Sequence, residues 1–243
     1  MFKFDTQNLL TSLAVASVLL TTAFAQEIDK STYADGLGGG TSPYYTNTGF
    51  DLTQEGDTNG CDMNTCTAGG KTATVYRAAY SDGSAVKICV CEGAAMDQNY
   101  IATNFGFVPQ MIRQYTQFIT VASQDLEGCG AYSTGASSTY CLPNMETEVF
   151  IHESTHNFDM SKFGNGQWIS GFPDWQAAID NDSCVPDSYA QTNKVEDFAQ
   201  VVVLWMALAA QNTWVDCMSN QLTFVESQVP RDTLLANMLP QYH

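Results

Sequence analysis

Positive charge and histidine are what this sequence has least of. Nine Lys and Arg stand against 26 Asp and Glu in 243 residues, a formal charge of −17 at pH 7. Such a surface repels phosphate backbones and anionic lipid, which excludes nucleic acid and membrane surfaces as partners. Long hydrophobic runs are missing too. Leu9 to Leu20 and Phe198 to Ala210 are the most apolar stretches, and each is too short to span a bilayer. There is no C-x2-C pair, so a cysteine zinc knuckle has no usual frame. No internal repeat is present, and 44% apolar residues are ample for the core of one domain.

The amino end is ordered like a secretory leader: Lys3 in a short polar start, the apolar run, then Ala23-Phe24-Ala25 as a small-x-small cleavage site. Residues 1–25 are expected to be a signal peptide, and the protein to be secreted and extracellular. All eight cysteines follow that site, and an even number fits disulfides in an oxidising compartment. Their spacing favours Cys129 with Cys141 and Cys184 with Cys217, and leaves Cys61 and Cys66 to take Cys89 and Cys91 in either order. Asn181-Asp182-Ser183 is the one N-x-S/T sequon and marks a surface loop.

Residues 26–60, rich in Gly, Ser, Thr and Tyr, read as an irregular arm or a short pro-segment before a domain over 61–243. Thr72 to Ala79 and Ala85 to Cys91 alternate like two strands of a hairpin around Ser81-Asp82-Gly83-Ser84. Val108 to Ser123 is expected to be helical, and Glu127 to Asn144 a loop held by its cysteines. Asn144 can cap a helix through "EVFIHESTHNFDMS", Pro173-Asp174 opens a short helix, and Asn193 to about Gln211 is a buried one. The fold class is α+β, with Trp168 and Trp175 packing the core between the helix of "EVFIHESTHNFDMS" and the Asn193 helix.

Two of only three histidines, His152 and His156, lie four apart, which puts both imidazoles on one helix face with Glu153 beside them. That spacing suits one zinc ion per chain, with Glu153 as general base on a metal-bound water. A third ligand must be a carboxylate, because Lys162 occupies the position of a metzincin's third histidine. Asp159 is better placed to orient His156 from behind than to reach the same ion. Glu196, at the start of the apolar helix, is the other carboxylate available.

His152-Glu153-x-x-His156-x-x-Asp159, then Tyr189, then Glu196-Asp197-Phe198-Ala199, resembles the gluzincin catalytic domain of the anthrax lethal factor and Pro-Pro endopeptidase type. The wording also looks like secreted fungal metallopeptidases. The match covers about fifty residues; Thr155 stands where the family often has Gly, and the cysteine-rich upstream region has no counterpart. The resemblance implies a zincin-like fold, His152, His156 and Glu196 as zinc ligands, Glu153 as base and Tyr189 as the phenol that stabilises an oxyanion. The expectation is a secreted, monomeric zinc endopeptidase acting on a peptide or protein substrate, with a strand between Thr72 and Cys91 as the rim of its cleft. Two rivals share the motif: a zinc-binding protein or antigen without turnover, and a purely structural ion held by four ligands, Asp159 among them.

Overall fold

The computed structural model describes residues 26–28, 47–124, 126 and 128–236. The expected leader (residues 1–25), most of the arm (29–46) and His243 lie outside them. Eight strands and seven α-helices follow one another over these residues, so the α+β class expected from the sequence is the one adopted.

Six strands form one mixed sheet in the order β2-β3-β4-β5-β7-β6. β2 (Phe50–Glu55), β3 (Ala73–Tyr80) and β4 (Ala85–Cys91) make an antiparallel meander, with Thr74 opposite Val90 and Tyr76 opposite Ile88. The β3–β4 hairpin matches the sequence reading; β2 falls where an irregular arm was expected. β5 (Phe118–Val121) then runs parallel to β4, and β7 (Ser137–Tyr140) parallel to β5. β6 (Ala131–Ser133) closes the far edge antiparallel to β7. A separate pair, β1 (Gln26–Glu27) and β8 (Cys184–Val185), joins the start of the described chain to its later half.

The expected helix over Val108 to Ser123 is replaced by two elements. Pro109 starts a four-residue helix, α2 (Gln110–Arg113), after α1 (Gln98–Phe105), and "FITV" enters the sheet as β5. β-branched Ile119, Thr120 and Val121 are buried between two parallel neighbours, an environment in which a strand reads as a continuous apolar run. α2 anchors the sheet instead: Arg113, fully buried, donates to the carbonyls of Gly106 and Val108 and pairs with Asp82 in the β3–β4 turn.

α3 (Thr147–Ser161) lies between the β6–β7 edge and α5 (Lys194–Gln211). Its residues from Phe150 to Asp159 are all buried, so its polar side chains need partners. Asn157 donates to Thr116 and Ser138 at 2.9 Å each, which fixes the helix to the sheet. Its N-cap is Glu146; Asn144 sits two residues earlier with φ 54°, a left-handed conformation that Asn tolerates.

α5 is apolar almost all round because it is surrounded by α3, α4 (Pro173–Asn181), α6 (Ser219–Gln228) and α7 (Arg231–Leu235). No helix among the described residues is long and apolar enough to cross a membrane. The Asn193 side chain accepts from the N–H groups of Val195 and Glu196 at 2.9 and 3.1 Å and so caps the first turn of α5, which starts one residue after the expected Asn193. Trp175 is buried, donates to the Lys194 carbonyl at 2.9 Å and meets Phe198 edge-on at 5.4 Å. Trp168 is 42% exposed and does not join that core.

All eight cysteines are paired, which leaves none for a metal. Cys129–Cys141 and Cys184–Cys217 pair as the spacing favoured, and the open choice resolves to Cys61–Cys89 and Cys66–Cys91.

Candidate metal centre

One turn of α3 and the first turn of α5 bring three donor atoms together. The Nε2 atoms of His152 and His156 are 2.9 Å apart, and Oε2 of Glu196 lies 3.1 Å from the first and 3.2 Å from the second. The two rings meet edge-on, their planes at 89°. No other group of three His, Cys, Asp or Glu donors lies so close together among the described residues.

The shape of that triangle is informative. Tetrahedral zinc with bonds of about 2.0–2.1 Å sets its ligand atoms roughly 3.3 Å apart, and the three edges found here are 2.9 to 3.2 Å. Two imidazole nitrogens and a carboxylate oxygen this close repel unless a cation or shared protons lie between them. Hydrogen bonds from His152 and His156 hold the Glu196 carboxyl far below the usual carboxylate range. Burial pushes the His156 imidazole down, but its bond to Glu196 and the charges of Glu153, Glu196 and Asp159 outweigh burial and raise it.

Glu153 points beside the triangle and is 4% exposed. Burial raises its carboxyl above the ordinary value, although the charge of His152 and a hydrogen bond from Ser133 oppose the shift. Ser133 Oγ lies 2.8 Å from Glu153 Oε2 and 2.8 Å from the Glu153 carbonyl oxygen, tying the residue to the edge strand β6. Asp159 is fully buried, and both its oxygens are taken by Ser170, from the backbone N–H at 2.8 Å and the hydroxyl at 2.6 Å. It touches His156 by its field rather than by a hydrogen bond.

Tyr189 stands at the mouth, 50% exposed, with its ring centroid 5.9 Å from that of His152. Burial, then the charges of Glu196 and Glu153, raise its phenol, so it keeps its proton at neutral pH. His152, Glu153 and Tyr189 line both a cleft of about 400 Å³ that reaches Met145, Val149 and Gln200, and a smaller recess of about 240 Å³ that reaches Tyr132, Met160 and Trp168.

The structure therefore brings His152, Glu153, His156, Tyr189 and Glu196 to one place, and sets Asp159 behind it on Ser170. Its rim differs from the expected one. β6, from the segment expected to be a loop, lines the cleft, whereas β3 and β4 lie three or more strands away across the sheet. Ser133, Tyr132 and Trp168 were not foreseen as neighbours of the site; the cysteines bracketing β6 were the only sign that its short segment is held in place.

A family model described as conidiation-specific protein Con-13 matches residues 52–236, which includes the six-stranded sheet but for the first two residues of β2, the triangle and every helix described above. The chain belongs to the Con-13 family. One Con-13 relative, conidiation-specific protein 13 of Neurospora crassa, is 31% identical over 166 residues, 64% of this chain and 47% of that protein. The chain thus matches about half the length of that relative. No solved structure matches.

Membership of the Con-13 family overturns the resemblance to gluzincin peptidases, and with it the reading of the chain as an enzyme of the zinc metallopeptidase kind. The gluzincin likeness rested on a few fixed letters within about fifty residues, and a pair of histidines four apart with a distant glutamate answers to metal binding before it answers to any one reaction. The Con-13 match covers most of the chain, including the disulfide-bonded region that the gluzincin pattern left without a counterpart.

Proposed function

We propose that this member of the Con-13 family is a metal-binding protein that holds one zinc ion through His152, His156 and Glu196. The observation that carries the reading is the convergence of three potential ligand atoms, each within 3.2 Å of the other two. Two imidazoles and one carboxylate suit a borderline cation such as Zn2+, and three protein ligands leave a fourth position for water or a small ligand from the cleft. With an ion held there, Glu153, its carboxyl bonded by Ser133, would stand beside it as a proton acceptor, and Tyr189 at the mouth as a hydrogen-bond donor. Four disulfides support an oxidising compartment, and we place the protein outside the cell. From the name of the relative we carry over conidiation as the setting in which the ion is held.

The test is metal content and zinc affinity of the purified protein, side by side with His156→Ala, Glu196→Gln and Glu153→Gln. One zinc per chain is expected, with affinity reduced at least a hundredfold in the first two, beyond the roughly 10–100-fold that outer partners of ligands command. Glu153→Gln should still bind, since its carboxyl is bonded to Ser133 and is not one of the three converging donors. Equal affinity in wild type, His156→Ala and Glu196→Gln would sink the proposal.

A further inference from the structure

Asn181-Asp182-Ser183 has no part in the metal centre. Asn181 is the last residue of α4, and the chain leaves the helix extended at Asp182, with φ −94° and ψ 157°. Asn181 and Ser183 are both exposed. Asp182 between them is fastened to the start of α6, its carboxylate accepting from the backbone N–H groups of Asn220 and Gln221 at 3.0 and 2.8 Å. The Asn181 amide nitrogen donates one of its two hydrogens to the Ala177 carbonyl at 2.7 Å and keeps the other for substitution. A groove of about 340 Å³ between α4 and α6 has this asparagine on its wall, together with Ala177, Thr223 and the half-buried Phe224. The Phe224 ring is held from behind by Trp175, 5.3 Å away between centroids. The groove shares no residue with the metal cleft or its recess.

An asparagine two residues before a serine, with no proline between, is the acceptor pattern for N-glycosylation, and the bulk of a glycan demands an exposed side chain. Here the exposed acceptor adjoins an apolar groove. A pyranose has a face of C–H bonds, which packs on an aromatic ring as other apolar surface does. We propose that Asn181 carries an N-linked glycan whose first sugar lies in the α4–α6 groove against Phe224. The donor is an oligosaccharide on a polyprenyl diphosphate. The bond from the amide nitrogen to C1 of the sugar forms, the C1–O bond breaks, the amide gives up one proton, and the diphosphate leaves with the electron pair. The amide keeps its second N–H, so the bond to Ala177 survives. The modification requires entry into the secretory route, and to that extent rests on the placement outside the cell proposed above.

The experiment is expression of the full chain in a eukaryotic secretory host, once with its own amino end and once behind a leader of that host, as wild type, Asn181→Gln and Ser183→Ala. Intact mass before and after peptide-N-glycosidase reads the modification. One glycan is expected on wild type, released to leave aspartate at 181, and none on either variant. A glycan behind the host leader alone supports the site and counts against the placement outside the cell, so the two fail separately. Wild type without a glycan behind the host leader overturns the proposal. For the groove, wild type trimmed by an endoglycosidase to its first sugar is compared with Ser183→Ala, which keeps Asn181 and loses one exposed hydroxyl. The trimmed protein should melt about 2 °C higher; an equal or lower melting temperature overturns the seat against Phe224.

Discussion

The sheet half and the helical half of this chain are held by different means. Three of the four disulfides lie within residues 61–141, where they bind the long excursion before β3 to β4 and close the loop around β6 and β7. The two helices that carry the converging donors, α3 and α5, contain no cysteine, and neither disulfide nor sheet pairing joins them. Their contact is made by packing, with α5 buried from Phe198 to Ala210. Short, Gly- and Ser-rich connections bury little and gain from covalent closure, whereas an apolar helix wrapped on all sides does not require it. Precision at the donor triangle is therefore a product of core packing, and order at its rim a product of cross-links.

The largest effect should come from the helical half. Phe198→Ala removes a ring that packs against Trp175 and Phe224, and a loss of about 3–5 kcal/mol in chemical denaturation is expected. Zinc affinity should fall with it. Removing the Cys66–Cys91 bridge as a double serine variant opens a separation of 25 residues and should cost about 3 kcal/mol, yet leave zinc affinity within about twofold, the comparison failing if affinity drops tenfold. Zinc at a hundred times its dissociation constant should raise wild-type stability by about 2.7 kcal/mol and leave His156→Ala unchanged, read as a shift in the denaturation midpoint.

The smallest effect is on the sheet side and depends on pH. Burial would raise the Asp82 carboxyl, but hydrogen bonds from Ser84 and the charge of Arg113 outweigh it and hold the group below its ordinary value. A carboxyl lowered in the folded state stabilises fully above its unfolded pKa, near 3.9, and that contribution is lost as pH falls through the lower folded value. Asp82→Asn should therefore reduce thermal stability from neutral pH down to about 4 and flatten the acid side of the profile below it. A variant whose melting temperature follows wild type in parallel at every pH would show that the pair contributes nothing there.

Much of both halves was legible where a local signal coincided with the final environment. Asn193 before an apolar run gave α5 its start, Pro173-Asp174 gave α4, alternation gave β3 and β4, a short loop gave Cys129–Cys141, and a position on either side of the long helix gave Cys184–Cys217. The donor pair was legible because His152 and His156 lie four apart; Glu196 was singled out only through the gluzincin resemblance, since a Glu in the first turn of a helix is common in its own right. The rest was decided by neighbours distant in sequence. "FITV" has no feature that separates a buried parallel strand from a helical turn until β4 and β7 flank it. β6 is three residues long in a Ser- and Gly-rich segment, too short for any period. Ser133 reaches Glu153 only because that edge strand passes over α3, and nothing at either position in the chain announces it. The larger error was one of inference: a spacing that suits metal ligation was extended to a reaction class, and the family to which the chain belongs withdraws that extension while leaving the geometry in place.

The triangle has one further meaning, in the connectivity of the chain. His156 and Glu196 are 40 residues apart, a longer span than any of the disulfides, whose separations run from 12 to 33. An ion at the triangle would be a fifth, removable cross-link, and it would close the longest loop, joining the two helices that no covalent bond connects. A disulfide persists in the unfolded chain and restricts it there, whereas the ion is held by the folded site alone, so its contribution follows the free zinc concentration rather than the length of the loop it closes.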